Sequence, residues 1–272
     1  MKIPLRCLLC VLLFLGACAP RPAVREPVRT PADPAPLEQS LLAYNRAPGA
    51  VRLEGRLRID GLGTADFGAR VRKGVGMRLD AVGGPFSTPV LSLACLAGPN
   101  GLCEVYLPTR RTAYRQEPGA GSVWLEALLR GRVHTIGTPQ EAWNLSDGRR
   151  LLVILGDGGW RQEVFFLAGS DLPSRVVLIR DGESRLEMTF REFTEVGGHP
   201  FPTRVALRTP QDDGGYGFHF RRVVADSDPA GDAFSLVLPP GTEVETLSGG
   251  AEDPRVRFPF WLPAPPPPSD GS

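Results

Sequence analysis

The chain has 272 residues, and its 31 Lys and Arg stand against 30 Asp and Glu. This balance supplies no net field for nucleic acid or a strongly acidic partner. The length suits one large β domain or two smaller ones, and beyond the leader no apolar run reaches the roughly 18 residues of a membrane-spanning helix.

The chain opens with Lys2 and Arg6, then an apolar run from Cys7 to Leu15. That run is too short to cross a bilayer and reads as a secretory signal. It ends in Leu15-Gly16-Ala17-Cys18, which resembles a bacterial lipobox. On this reading residues 1–17 are a lipoprotein signal peptide and Cys18 carries the lipid anchor. The alternative is an ordinary signal peptide with a chance cysteine. Ala19 follows the cysteine, where inner-membrane retention commonly uses aspartate. The expected location is therefore the periplasmic face of the outer membrane. Residues 18–36, rich in proline, alanine and charge, predict the anchor and an extended tether. Residues 37–47 fit a short amphipathic helix that opens a domain over 37–250.

From there the dominant period is two. Val51, Leu53, Leu57 and Ile59 alternate with arginines and acids, as do Phe67, Ala69 and Val71, then Met77, Leu79 and Ala81. This is the pattern of antiparallel strands with one wet face. Further strands are predicted near 90–96, 103–108, 111–117, 149–156 and 160–168, the last two joined by Asp157-Gly158. Cys95 and Cys103 flank the turn signal Gly98-Pro99-Asn100-Gly101. In a hairpin they face each other, close enough for a disulfide in an oxidising compartment; the alternative is two buried thiols.

Helices interrupt the sheet. Ser122 is positioned to cap one that carries Trp124, Leu125, Leu128 and Leu129 and stops at Gly131. Thr138-Pro139-Gln140-Glu141 reads as a capping box opening a second, with Trp143 and Leu145, ending near Gly148. A weak repeat follows: Leu172-Pro-Ser-Arg-Val-Val-Leu178 parallels Phe201-Pro-Thr-Arg-Val-Ala-Leu207, each before an alternating strand. These predict successive hairpins of one curved sheet. A last strand is expected over Phe234–Leu238. Residues 251–272 form a proline-rich tail, disordered or polyproline II. One amphipathic sheet with a few short helices predicts helices packed on its concave side.

In this order the segments resemble the LolA/LolB family of lipoprotein carriers and outer-membrane acceptors. The resemblance is carried by Gly55-Arg-Leu-Arg-Ile59, by Met77-Arg-Leu-Asp-Ala-Val-Gly-Gly-Pro-Phe86, by the Trp124–Leu129 insert, by Leu172–Leu178 and by Phe234-Ser-Leu-Val-Leu-Pro-Pro-Gly241. It implies a mainly β fold, an incomplete antiparallel β barrel with short helices over an apolar concave face. It also implies that acyl chains of a lipoprotein, or a lipid, are bound there and passed to the membrane, with a LolA-like periplasmic carrier as a partner. Trp124, Leu125, Leu128, Leu129 and Trp143 are the candidate cavity and lid residues; the alternative for each is plain core. Phe86 stands where LolB-type proteins carry a leucine on a membrane-probing loop; alternatively it folds back onto the sheet edge. Residues 195–272 extend past the usual LolB core.

Catalytic motifs are scarce: there is no H-E-x-x-H, G-x-S-x-G or P-loop. His134, His199 and His219 are scattered, and His219 is expected to face solvent. Asp212-Asp213-Gly214-Gly215 lacks EF-hand spacing and reads as a turn. The expectation is a non-enzymatic protein with no cofactor or metal. The rivals are a lipid-anchored structural or interaction module with its cavity filled by its own side chains, and a hydrolase whose catalytic set is not visible. If Cys18 is the anchor, Cys18→Ser moves the protein into the aqueous phase of a detergent extraction. Unchanged membrane attachment disproves it, since stable anchoring needs more than one acyl chain or signal.

Overall fold

The computed structural model describes residues 27–46, 48–59, 63–84, 87–97, 101–116, 120–209, 215–225 and 231–246. Cys18, the leader, Phe86, residues 212–214 and the 251–272 tail lie outside the described residues. Strand β1 (Arg29–Ala32) and helix α1 (Pro34–Tyr44) come first. A meander follows: β2 (Ala50–Ile59), β3 (Gly63–Arg72), β4 (Gly76–Gly83), β5 (Thr88–Leu96), β6 (Cys103–Leu107) and β7 (Thr112–Gln116). Helix α2 (Ala120–Leu129) leads to a second meander: β8 (Gly137–Leu145), β9 (Arg150–Gly156), β10 (Trp160–Phe166), β11 (Pro173–Arg180), β12 (Glu183–Val196), β13 (His199–Arg208) and β14 (Gly215–Ala225). A 3₁₀ turn (Gly231–Phe234) and β15 (Glu243–Thr246) complete the order.

All strands join one open sheet, ordered β1-β8-β9-β10-β11-β12-β13-β14-β2-β3-β4-β5-β6-β7-β15. The seam between the meanders is the antiparallel pair β14·β2. Period two explains the two faces: in β2, Val51, Leu53 and Leu57 are buried while Arg52, Glu54, Arg56 and Arg58 are exposed. The inner face continues through Phe67, Val71, Met77, Leu79, Leu93, Val164, Phe166, Leu178, Met188, Phe190, Val205 and Phe218, all in one core cluster.

Strand order also explains the helices. Strand β7 lies near one edge of the sheet and β8 near the other, so their connection must cross a face, and α2 is that crossing. Helix α1 similarly leads from the β1 edge to β2 near the middle. Both helices bury apolar stripes in the inner-face cluster. The return from β14 to the far edge uses the other face: Phe234, fully buried, lies 3.2 Å from where a Cβ on Gly76 would sit. Cys95 and Cys103 are directly paired across β5 and β6 and joined by a disulfide, with Cα atoms 4.0 Å apart.

Three expectations are corrected. Residues 137–145 form strand β8, where a capped helix was expected from Thr138. The segment pairs with β9 along its length and with β1 over 142–145. A helix would forfeit both ladders. Pro139, beside a register shift and outside the stretch paired with β1, removes no N–H that the edge needs. Second, the expected strand over Phe234–Leu238 is absent. Phe234 is buried and Leu236 and Leu238 are half-buried while Val237 is 92% exposed, so the alternation is kept without a ladder partner among the described residues. Strand β15 forms later, parallel to β7. Third, the tether expected over 18–36 yields to structure by Arg29. Strand β1 pairs with β8, and Asp33 Oδ1 caps α1 by accepting from Ala35 N at 3.0 Å. The side chains of Arg29, Thr30 and Pro31 are exposed, so no apolar period signalled the strand.

The seam depends on Gly55. A Cβ there would sit 2.3 Å from the His219 carbonyl oxygen and 3.0 Å from the Phe67 ring. Gly55→Ala is expected to lower stability by about 2 kcal/mol through overpacking, read as a lower urea midpoint. An unchanged midpoint would mean the seam relaxes freely.

Candidate functional site

The inner face and its two helices form the candidate site. In α1, Leu37, Leu41 and Tyr44 follow helical spacing and are buried. In α2, Trp124, Leu125, Leu128 and Leu129 form one apolar face, with Leu128 and Leu129 wholly buried against the inner-face core. Beneath them Phe67, Phe201, Phe218 and Phe220 meet mostly edge to face, with centroids 5.4–6.0 Å apart. These side chains occupy the concave face.

Trp143 does not join them. It lies on β8 and points to the opposite face, packed with a second cluster of Leu145, Leu151, Val153, Phe165 and Val177. Placed on a helix, it would have shared a stripe with α2. Placed on a strand, its parity decides, and Ala142 takes the inner side. Arginine side chains cover this outer cluster: the guanidinium groups of Arg149 and Arg175 stand 5.7 and 5.3 Å from the Phe165 ring centroid.

The end of α2 is built by local rules. Gly131 has φ +66°, Gly131 N donates to Leu128 O at 2.9 Å, and Arg132 N donates to Ala127 O at 2.7 Å. This is a Schellman cap. A Cβ at Gly131 would also sit 2.7 Å from the Phe201 ring. The segment beyond is latched twice. Asn45 Nδ2 donates to Val133 O at 2.8 Å, and Val133 N donates to Asn45 Oδ1 at 3.1 Å. Fully buried Gln162 of β10 donates to His134 O at 2.7 Å and accepts from Ile136 N at 3.2 Å. The His134 ring meets Trp124 edge to face at 5.0 Å.

Sequence reasoning missed the charged groups at this latch. Arg130 and Arg132, either side of Gly131, are both buried. Arg130 donates to Glu126 Oε1 at 3.1 Å. The Arg132 guanidinium stands 5.4 Å from the Tyr44 ring centroid, and none of its nitrogens has a hydrogen-bond partner among the described residues. Burial, with Arg130 nearby, pulls Arg132 down to about 10, against a smaller opposing pull from Tyr44; burial also raises Tyr44. The available signal was two arginines flanking a helix-ending glycine straight after an apolar stripe.

On the outer face of β12, β13, β14 and β2 a groove of about 700 Å³ is lined by Arg56, Arg58, Arg191, Arg204, Arg208, His219 and Glu187. His219 is exposed there, His199 opens β13 and His134 lies by α2, so the three do not converge. No group of three His, Cys, Asp or Glu positioned for a metal occurs among the described residues.

No protein-family model matches the chain, and no curated protein matches it in sequence. Solved structures do match in shape. A domain from Vibrio parahaemolyticus assigned as an outer membrane lipoprotein-sorting protein aligns at 10% identity and TM-score 0.52, over 73% of this chain and 94% of that one. A LolA superfamily protein from Nitrosomonas europaea aligns at 8% identity and TM-score 0.52, over 75% of this chain and 98% of that one. A DUF1329 family protein from Desulfovibrio piger aligns at 12% identity and TM-score 0.51, over 75% and 98%. The fold is LolA/LolB-like: an incomplete antiparallel barrel with helices on its inner face.

The latch has a pH signature. Burial lowers the pKa of His134 below its ordinary 6.5, so the folded state holds it neutral. As pH falls through 6.5 the unfolded chain takes up the proton first, and stability is lost toward the lower folded value. The thermal midpoint is expected to fall between pH 7.5 and 5.5, and His134→Phe is expected to flatten that fall. An equal fall in the variant would clear His134 of the effect.

Proposed function

We propose that this chain is a lipid-anchored protein of the bacterial outer membrane that binds acyl chains between α2 and the inner sheet face and helps pass them to the membrane. The cargo is a lipoprotein or a lipid, received from a LolA-like carrier. The single observation that supports this most is α2: an apolar helix laid across the concave face of a LolA/LolB-like sheet, ended by a glycine turn and latched by a handful of polar contacts. Gly131 provides the pivot on which such a cover lifts. Displacing Trp124, Leu125, Leu128 and Leu129 from the inner face would open apolar surface for a chain, and each buried methylene of cargo contributes about 0.8 kcal/mol. That gain needs no catalytic group, so the activity is binding and release with no bond made or broken. Cys18 supplies the anchor in this reading. Likeness of fold alone does not carry activity; the apolar cover and the lipobox are what join it to this role.

A second reading has its own support. Leu128 and Leu129 are wholly buried and Trp124 and Leu125 nearly so, as in a filled core. The chain would then be a structural lipoprotein of an envelope complex. Trp124 separates the two. Added fatty-acyl ligand is expected to change its fluorescence, and Trp124→Ala to weaken binding about tenfold. Its loss of stability should stay below the ~3–5 kcal/mol typical of a deleted core tryptophan. No ligand response, with the full core penalty, would leave the structural reading.

A further inference from the structure

Glu104 and Glu163, buried in the sheet, each hold an arginine, at 2.6 and 2.7 Å, and buried Arg130 holds Glu126. Arg132 is 4% exposed and holds no acid: its guanidinium lies over the Tyr44 ring, and its Nε and both terminal nitrogens are shut from solvent without an acceptor. The Tyr44 hydroxyl beside it is buried and equally unpartnered. A guanidinium has only donors, while a phenol can donate or accept; an oxyanion would take a hydrogen bond from both. Glu126 is paired with Arg130, and no ion pair to Arg132 occurs among the described residues, so the latch holds a buried guanidinium with no carboxylate partner. Such a charge is strongly unfavourable unless an anion completes it. Chain geometry leaves Arg132 little choice, because the Schellman cap fixes its backbone and the Asn45–Val133 pair fixes the next residue.

We infer that Arg132, with the Tyr44 hydroxyl, is the seat for the anionic head of an amphiphile, whose carboxylate or phosphate oxygens take the unmade hydrogen bonds. This rests on the acyl-binding reading and deepens it: the cargo is an acidic amphiphile. The apolar tail lies under α2 and the oxyanion sits at the helix's C-terminal latch. A carboxylate or phosphate matches the planar fork of the guanidinium in a bidentate pair. Binding an oxyanion there also couples cargo to cover, because Arg132 directly follows the glycine on which α2 ends.

The test uses the full chain carrying Cys18→Ser and three probes with sixteen-carbon chains: palmitate, 1-palmitoyl lysophosphatidate and neutral hexadecanol. Binding is read by tryptophan fluorescence. The inference expects at least one acidic probe to bind tenfold or more tighter than hexadecanol; which one does so tells carboxylate from phosphate. In Arg132→Met that preference collapses to within threefold while hexadecanol affinity is unchanged. The ligand-free thermal midpoint rises, because an unpaired buried charge has gone. Arg132→Gln, polar but uncharged, carries the same expectation for the preference and stands in if the Met variant does not fold. Equal binding of all three probes by the unsubstituted latch overturns the inference and leaves the acyl-binding reading standing. A preference that survives in both variants also overturns it. Failure of every probe to bind overturns both.

Discussion

An open sheet with one apolar face must have that face covered, and the rest of the molecule follows from how the cover is made. Antiparallel meanders put sequence neighbours side by side, so most connections are tight turns. Three connections cannot be, because β1 and β2, β7 and β8, and β14 and β15 stand apart in the sheet order. Those long connections have to cross a face, and the hydrophobic effect selects the inner one for segments with apolar stripes. Helices α1 and α2 are the result. Their C-termini meet through Asn45 and Val133, so one pair of hydrogen bonds ties both crossings together.

The outer face solves a different problem with different residues. Around β9 to β11 the sheet is apolar on both sides, and among the described residues no helix covers the outside. The guanidinium groups of Arg149, just before β9, and Arg175, on β11, stand over the Phe165 ring there. Exposed pairs such as Arg56–Asp66 and Arg204–Glu192 contribute little each. The crossing on this side packs Phe234 over Gly76.

The inner layer does not satisfy all of its buried polar groups. A structural core gains most when every polar atom is either absent or satisfied. Gln162 meets that standard, since both ends of its amide are bonded to the latch backbone. Arg132 and Tyr44, a few residues away in the same latch, do not. Unsatisfied groups of this kind commonly mark positions kept for something other than folding. Tyr44 ends α1 and Arg132 follows the turn that ends α2, so the anomaly lies where both helices leave the inner face.

Sequence alone determined what local physics determines. Strict alternation in β2, β3 and β4 assigned both the strands and their buried parity, because side chains on a strand have no third direction to take. The glycine after Leu129 and Arg130 ended α2, because only glycine sits comfortably at positive φ with an aromatic ring against it. Cys95 and Cys103 were placed opposite one another by a turn of known length. Tertiary structure decided what depends on partners far along the chain. Residues 137–145 carry a helix-start signal, yet two strands, one of them more than a hundred residues upstream, offer ladders that outweigh it. Trp143 moved from lid to outer face with that change. The exposed edge strand β1 had no apolar period to announce it. Burial of Arg132 could not be seen either, since it arises only where α1, the α2 turn and the ends of β12 and β13 converge. A charge reads as solvated in any sequence until packing removes the water.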